Sequence, residues 1–430
     1  MEGRKMPDKF KNSVAKNNID ALVQQAVFGA DEQARLENQR IIREGVPALG
    51  IRPASIQGLY EAAGKGKFKG ITVPAINIRM ITYDVARAVF RAAKKDSVGA
   101  FIFEIARSEI GYTKQPPSEY SACILAAAVK ENFQGPVFIQ GDHYQVNRTR
   151  YNENPSTETD AIKKLIKESV EAGFYNIDID ASTMVDISKD DLMEQQEKNS
   201  QITAEMTRYI RGIEPKGVTV SVGGEIGEIG KGNSTVEDLR AFMNGYLNQL
   251  PRGIKGISKI SVQTGTTHGG VALPDGSIAK VKIAFDTLKE LSQMAREEYG
   301  LGGAVQHGAS TLPDEAFDMF PRVETLEVHL ATGFQNIVYD SPHFPKELLQ
   351  QVYRHLDAHN AKERKEGDTQ EQFYYNTRKK ALGDFKKEMW NLPESEKFKI
   401  MQELEERFSL MFHKLNVLNT EKLVKKYVNF

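Results

Sequence analysis

Cysteine occurs once in the 430-residue chain, at Cys123, so no internal disulfide can form and no cysteine cage can hold a metal. An excess of one charge is also lacking: 57 Lys+Arg stand against 58 Asp+Glu. Without a basic surplus there is little to neutralise a phosphate backbone, and nucleic acid is not an expected partner. No apolar run approaches the ~20 residues that a membrane helix needs, so no membrane association is expected. The opening, MEGRKMPDKFKNSVAKNNID, lacks the apolar core of a secretory signal. No short solenoid repeat is visible. These absences lead to the expectation of a soluble, cytoplasmic globular protein. Its 40% hydrophobic content is enough for a sizeable core.

Three regions differ in texture. Residues 1–69 are polar and helix-like, with a periodic run at Ala54–Ala63 leading into Gly64–Gly70. Residues 70–343 alternate short β-branched runs with amphipathic ones. Residues 344–430 carry almost no strand signal and are rich in Lys, Glu, Leu and Phe. In the middle region, strands are expected at Gly70–Ile76, Gly99–Glu104, Pro136–Gln140, Asn176–Asp180, Val218–Gly223, Ile257–Gln263, Ala304–Gln306 and Phe334–Val338. Helices are expected between most of them, among them Tyr83–Lys95, Glu119–Asn132, Thr157–Ala172, Asp190–Ile210, Val236–Leu250 and Lys280–Tyr299. Strand then helix, repeated eight times with nearly all-apolar strands, is the pattern of a parallel sheet covered on both faces. That count favours an α/β fold of the (β/α)8 TIM-barrel type, with an N-terminal helical segment and a helical C-terminal extension. An open doubly wound sheet is the alternative, and no GxGxxG follows the first strand to support it.

In such a barrel, chemistry gathers at the C-terminal ends of the strands. The expected third strand ends in Gly-Asp142-His143, the fourth in Asp178-Ile-Asp180, and the fifth in Gly-Gly-Glu225. After the sixth comes Gly-Thr-Thr-His268-Gly269-Gly270. After the seventh comes His307-Gly308-Ala-Ser310, and the eighth offers Asn336 and Asp340. Three of the chain's 8 His therefore fall just past strands. Singly, each could be an ordinary hydrogen-bonded residue. Together on one rim they suit a divalent metal with an open position for substrate, and nitrogen donors favour Zn without excluding Fe, Co or Mn. Neighbours on an ideal strand point to opposite faces, so Asp142 can join His143 only where the strand ends; Gly141 offers that freedom. A carboxylate there is placed for proton transfer, or alternatively caps the next turn. Asp180 could orient a ligand histidine or form a salt bridge inside the barrel. The glycine-rich segments at Gly269-Gly270 and Gly308-Ala-Ser310 can turn backbone N–H groups toward a phosphate.

These segments resemble the class II, metal-dependent ketose-bisphosphate aldolases, the fructose- and tagatose-bisphosphate group. The likeness runs over residues 56–340. It opens at IQGLYEAAGKGKFKGITVPAINI and continues through GDH (141–143), IDAS (179–182), GGEIG (223–227), GTTHGG (265–270), QHGAS (306–310) and QNI (335–337). The resemblance implies that His143, His268 and His307 bind the metal. It implies that Asp142 exchanges a proton with the hydroxyl at the carbon being cleaved, and that Glu225 lies near the ion. Asn77, Gly269, Gly308, Ser310 and Asn336 would hold the phosphate and triose end. The implied reaction is reversible aldol cleavage of fructose 1,6-bisphosphate to dihydroxyacetone phosphate and glyceraldehyde 3-phosphate. The implied cofactor is Zn2+ or another divalent metal, with a monovalent cation as a further candidate. The sequence departs from the family in three places. The lysine usual after the sixth-strand HG is absent from HGGVALPDGS. In Asn336-Ile-Val338-Tyr339-Asp340, Val replaces the first Asp of the usual Asn-Ile-Asp-Thr-Asp. After GEIG, the mobile-loop glutamate could be Glu228 or Glu237. Tagatose 1,6-bisphosphate or a ketose 1-phosphate are the alternative substrates. A non-catalytic accessory subunit, suggested by GDHYQVN and IDAST, is the alternative from another class, and retention of all three histidines argues against it.

Among the remaining features, Arg79, Glu104 and Arg107 sit near early strand or helix ends, placed to reach the far end of a substrate or to pair with one another. His355 and His359 form an i,i+4 pair among polar neighbours and read as an exposed face. Leu404, Phe408, Leu410, Met411, Leu415 and Leu418, with Trp390 and Phe398 upstream, form an apolar stripe. It should pack on the chain's own barrel or clasp a neighbouring subunit in a homo-oligomer.

Overall fold

The computed structural model describes residues 7–15, 18–227, 232–265, 273 and 283–430. Among the described residues, nine parallel strands run in chain order: β1 (Ile51–Ala54), β2 (Val73–Asn77), β3 (Ile102–Ala106), β4 (Gly135–Gln145), β5 (Asn176–Asp180), β6 (Ser221–Glu225), β7 (Lys259–Val262), β8 (Ala304–Gln306) and β9 (Glu327–Leu330). Strands β2 to β9 pair in sequence, and β9 returns to pair with β2, so eight strands close into a (β/α)8 barrel. The barrel strands are almost wholly buried, which explains why they read as apolar runs rather than alternating ones.

Strand β1 lies outside the barrel, within the N-terminal region read from sequence as helical. It pairs with the first half of β4, from Ile51 opposite Gly135 to Ala54 opposite Phe138, while β5 pairs with the second half. Asn176 joins the two where they meet. Its Nδ2 donates to Ala54 O (3.2 Å) and Ile139 O (3.0 Å), and its Oδ1 accepts from Ile56 N (2.9 Å). A four-residue strand with one exposed and one half-buried position carries too little period-2 signal to stand out.

The helices form where the local chemistry starts and stops them. Asn154 caps the helix Pro155–Ala172 by accepting from Thr157 N (3.2 Å), with Pro155 at the first helical position, and Gly173 ends it in the left-handed region at φ 94°. Asp191 caps Leu192–Ile213 through Met193 N (2.8 Å) and Glu194 N (3.1 Å). No helix among the described residues is long and apolar enough to cross a membrane.

One strand differs from the sequence expectation. Phe334–Val338 is not the eighth barrel strand; it lies within the helix Thr332–Asp340. The eighth strand is β9, seven residues earlier, where Glu327 and His329 interrupt the apolar run. Those two charges face the barrel interior, which hid the strand from a search for apolar residues.

The C-terminal extension wraps the barrel with helices. The long helix Glu394–Lys414 packs on the helices Thr82–Lys95 and Thr332–Asp340. Leu404, Phe408, Met411 and Leu415 are buried, with the Phe408 ring 4.8 Å from Phe334. Trp390 stacks on Tyr83 at 6.2 Å and meets Phe28 edge-on at 5.4 Å. Most of the apolar stripe is thus covered within the chain itself, and Phe398 stays exposed at 63%.

Candidate metal centre and active site

The mouth of the barrel is organised by a backbone irregularity. Along the β4–β5 pairing, Gly141 lies opposite Ile177 but Tyr144 lies opposite Ile179, so β4 carries an extra residue there. This is a β-bulge, and His143 within it adopts φ 41°, a conformation that costs a non-glycine residue about 1–3 kcal/mol. The bulge is what lets the adjacent Asp142 and His143 both serve the mouth. The role expected of Gly141 is different from the one it has. Its φ is not left-handed; instead, a Cβ there would lie 2.4 Å from the Tyr144 ring, so glycine lets the bulged strand fold over that side chain.

His143 is held from behind. Its Nδ1 lies 3.0 Å from Asp180 Oδ2 and 3.0 Å from Glu225 Oε2. Asp180 is further fixed by Ser182 Oγ (2.6 Å), Ser182 N (3.1 Å) and Gln145 Nε2 (2.6 Å). Burial pushes the Asp180 carboxyl up, but the hydrogen bonds from His143, Ser182 and Gln145 outweigh it and hold the group below its ordinary value. An ionised Asp180 accepts only, so the proton sits on Nδ1 and Nε2 of His143 is turned to the other side. The His307 ring lies 4.2 Å from the His143 ring, with its Nε2 3.0 Å from Ser261 Oγ. His143, Glu225 and His307 place one ligand atom each within 4.8 Å of one another, a donor set that suits a divalent transition metal. Burial and the neighbouring Asp180 raise Glu225 to about 7, only partly offset by His143. A carboxylate that costs this much to ionise is one that a bound cation would stabilise.

A cavity of about 620 Å3 opens over these residues, lined by Asn77, Asp142, His143, His307, Gly308 and Ser310. Six residues expected at the site from sequence thus share one cavity, and Glu225 and Asp180 stand behind His143. His268, Gly269 and Glu228 lie outside the described residues. Asn336 is not at a strand end. It sits on the helix Thr332–Asp340, where its Nδ2 donates to Tyr375 Oη (3.2 Å) and its Oδ1 accepts from Arg378 (2.7 Å), away from the cavity. The motif QNI was matched to a segment whose polar side chains anchor the C-terminal extension. Glu237 is exposed in the first turn of the helix Val236–Gln249.

Arg79, Glu104 and Arg107 all line the cavity, but none pairs with another of the three. Arg79 meets Glu109 through Nε and Nη2, both at 2.7 Å, and Glu109 also takes a hydrogen bond from Asn77 Nδ2 (2.7 Å). Arg107 pairs with the buried Glu158 at 2.5 Å. Among the cavity residues without a counterpart in the sequence reading are Lys379, from the C-terminal extension, and His329 from β9. Placing β9 correctly would have revealed His329, because Glu-Val-His alternates as a half-charged strand should. His355 pairs instead with Asp384 (3.2 Å) and stacks on His359; among the described residues, no group that could hold a metal includes them.

Beneath the mouth lies a second charged layer. Lys259 on β7 points into the barrel and contacts Asp178 Oδ2 (2.9 Å), Glu327 Oε1 (2.5 Å) and Gln140 Oε1 (2.7 Å). Burial pushes the Lys259 ammonium down, but Asp178 and Glu327 more than offset it and keep it charged. Glu327 also accepts from Tyr60 Oη and Gln140 Nε2 (3.0 Å). Gly223 is required beside this layer, since a Cβ there would lie 2.2 Å from Asp178 Oδ1.

With this geometry in view, the sequence profile of the family described as fructose-bisphosphate aldolase class-II matches residues 55–411. The chain belongs to that family. It is a family of aldehyde lyases that generally depend on divalent metals. Among solved structures, the fructuronate-tagaturonate epimerase UxaE from Cohnella laeviribosi is similar at 11% identity and TM-score 0.62, covering 89% of this chain and 86% of its own. A probable tagatose 6 phosphate kinase from Sinorhizobium meliloti 1021 is similar at 14% identity and TM-score 0.54, covering 83% and 99%. The fructose-bisphosphate aldolase Fba from Campylobacter jejuni is similar at 17% identity and TM-score 0.50, covering 86% and 97%. At these identities the likeness is one of fold. No curated protein sequence matches the chain.

Proposed function

We propose that this aldolase-family chain catalyses metal-dependent, reversible aldol cleavage of a phosphorylated ketose, with fructose 1,6-bisphosphate as the first substrate to test. The observation that carries the reading is the meeting of His143, Glu225 and His307, with Asp142, His143 and His307 lining one cavity. His143 and His307, with His268, would hold the divalent ion, which when bound supplies Lewis-acid polarisation of a carbonyl. Asp142 would take the proton from the hydroxyl at the carbon that is cleaved and return it in the reverse direction. Asp180 orients His143 through Nδ1. Gly308 and Ser310 would bind the phosphate, joined by Gly269, and Asn77, locked by Glu109, would position the triose end. Lys259 stays charged between two carboxylates, so an imine through this lysine has no part in the reading.

In this reading residues 70–343 form the catalytic unit of a cytoplasmic enzyme. Zn2+ is the metal to try first, given the nitrogen donors. Purified protein should cleave fructose 1,6-bisphosphate, and EDTA should abolish the activity. Comparison of kcat/KM for fructose 1,6-bisphosphate, tagatose 1,6-bisphosphate and ketose 1-phosphates assigns the substrate. Metal-loaded protein that turns over none of these sinks the proposal.

A further inference from the structure

The C-terminal extension does more than cover the barrel, because its Lys379 lines the cavity at the mouth. Lys379 stands in the short 3-10 helix Arg378–Ala381, and the chain is anchored on both sides of it. On one side the buried Arg378 meets Asp340 through Nη1 (2.5 Å) and Nη2 (3.1 Å) and Asn336 Oδ1 through Nη2 (2.7 Å). Its guanidinium also lies 5.1 Å from the centre of the Tyr339 ring and 5.2 Å from that of Tyr375. On the other side Gly383 runs so close to the helix Arg107–Thr113 that a Cβ there would lie 2.4 Å from Tyr112 O. Lys386 then donates to Lys114 O (2.6 Å) and pairs with Glu119 (2.5 Å). Asn336 and Asp340, read from sequence as strand-end site residues, therefore fix the segment that carries Lys379.

The charges around Lys379 favour an anion. Partial withdrawal from water and the nearby Arg79 guanidinium push its ammonium down, and Glu109 offsets part of this. Glu109 is already engaged, accepting from Arg79 Nε (2.7 Å), Asn77 Nδ2 (2.7 Å) and Ala106 N (2.8 Å). Among the described residues no carboxylate forms a salt bridge with Lys379. Arg79 also ties this corner to the Gly308–Ser310 segment. Its Nη1 donates to Thr332 Oγ1 (3.2 Å), and Gly333 follows so close that a Cβ there would lie 2.5 Å from Ser310 O. Gly308, Ser310, Thr332 and Lys379 all line the cavity. A left-handed glycine turn at Gly308 (φ 67°), two hydroxyls and an ammonium suit a group with three acceptor oxygens and two charges, a phosphate monoester. We propose that Lys379 is a specificity-determining residue, the cation that binds the substrate phosphate placed at Gly308 and Ser310. The inference rests on the reading of a phosphorylated ketose and deepens it: the C-terminal extension completes the phosphate site of the barrel.

The test titrates the full chain, loaded with Zn2+, with dihydroxyacetone phosphate and with dihydroxyacetone in a calorimeter. The wild type should bind the phosphorylated ligand more tightly. Lys379→Met should weaken that binding about tenfold or more, the scale of one charged hydrogen bond, and leave the binding of dihydroxyacetone unchanged. Lys379→Arg keeps the charge and should recover most of the loss. Wild type that gains nothing from the phosphate, a Lys379→Met protein that binds as wild type does, or an equal loss in Lys379→Arg overturns the proposal. Lys379 is exposed, so the variants should fold, and circular dichroism checks this. Independently of any variant, a wild-type crystal soaked with dihydroxyacetone phosphate should show a phosphate oxygen within hydrogen-bonding distance of Lys379 Nζ, and a phosphate bound elsewhere overturns the proposal. Cleavage is measured separately. Binding that depends on Lys379 without cleavage of any ketose removes the proposed function alone. Cleavage of fructose 1,6-bisphosphate with the same kcat/KM and the same affinity in Lys379→Met removes this inference alone.

Discussion

The barrel holds two charged layers one above the other, and they solve the same problem differently. In the lower layer Lys259 sits between Asp178 and Glu327, with Gln140 and Tyr60 filling the remaining hydrogen-bonding positions. At the mouth the carboxylates meet imidazoles instead: Asp180 and Glu225 lie 3.0 Å from His143 Nδ1, and Glu104 and Asp142 lie 2.9 and 3.2 Å from His329 Nδ1. The lower layer balances its charge within the chain. The upper layer sets its carboxylates against imidazoles, groups that can either take a proton or bind a metal. A buried ion pair that is complete in itself is structural, whereas a buried cluster of carboxylates and imidazoles, whose protonation can change, is a place for chemistry.

The largest expected effect tests the upper layer. Asp142→Ala should lower kcat by about 10²–10⁴-fold, the scale of one general acid–base group, while metal stays bound at the His143 position. It should not destabilise the fold, since it removes a buried negative charge. Near-normal turnover would take Asp142 out of the proton-transfer role.

Lys259→Met probes the lower layer and should do the reverse. It leaves Asp178 and Glu327 buried without a cation, a loss of about 3–5 kcal/mol in denaturant unfolding. An unchanged unfolding midpoint would show that the lower layer does not depend on its internal cation.

Asp180→Asn lies between these in character. Removing the charge behind His143 Nδ1 should weaken metal binding by about 10–100-fold, measured by chelator competition, with little change in kcat at saturating metal. Equal affinity in both proteins would mean that His143 is oriented by something else.

The smallest effect is in the pH dependence. Burial and the neighbouring Asp180 raise Glu225 from the ordinary carboxylate range to about 7, so the protonated form is favoured in the metal-free fold. Its contribution to stability is present below its unfolded pKa and is lost as pH climbs through the folded value. A divalent ion displaces that proton, so the stabilisation by metal should grow with pH over this window by up to ~1.4 kcal/mol per pH unit per proton. Thermal melts with and without Zn2+ should show this growth in the wild type and less of it in Glu225→Gln. The same slope in both would remove Glu225 from the ligands.

Seven of the eight barrel strands were legible because a strand covered on both faces must be apolar, and helical segments separate most of them. The eighth was missed for the same physical reason inverted. Glu327 and His329 are charged residues on a strand that faces a charged interior, and the nearby apolar run Phe334–Val338 is a helix packed under the C-terminal extension. Asp142, His143 and His307 were legible because they stand at the ends of expected strands in short glycine-flanked motifs, although β4 itself runs on past Asp142 and His143 to Gln145. The bulge that turns Asp142 and His143 the same way was not, since nothing in Gly-Asp-His-Tyr announces a register shift.

The alternation of apolar runs and amphipathic helices determined the barrel and the end of it where chemistry is expected, because backbone hydrogen bonding and burial act on segments a few residues long. Which charges face one another was decided only by closure. Lys259 and Glu327 are 68 positions apart, and His143 and Asp180 37. Their pairing follows from strand order and stagger around the barrel, which no local pattern encodes.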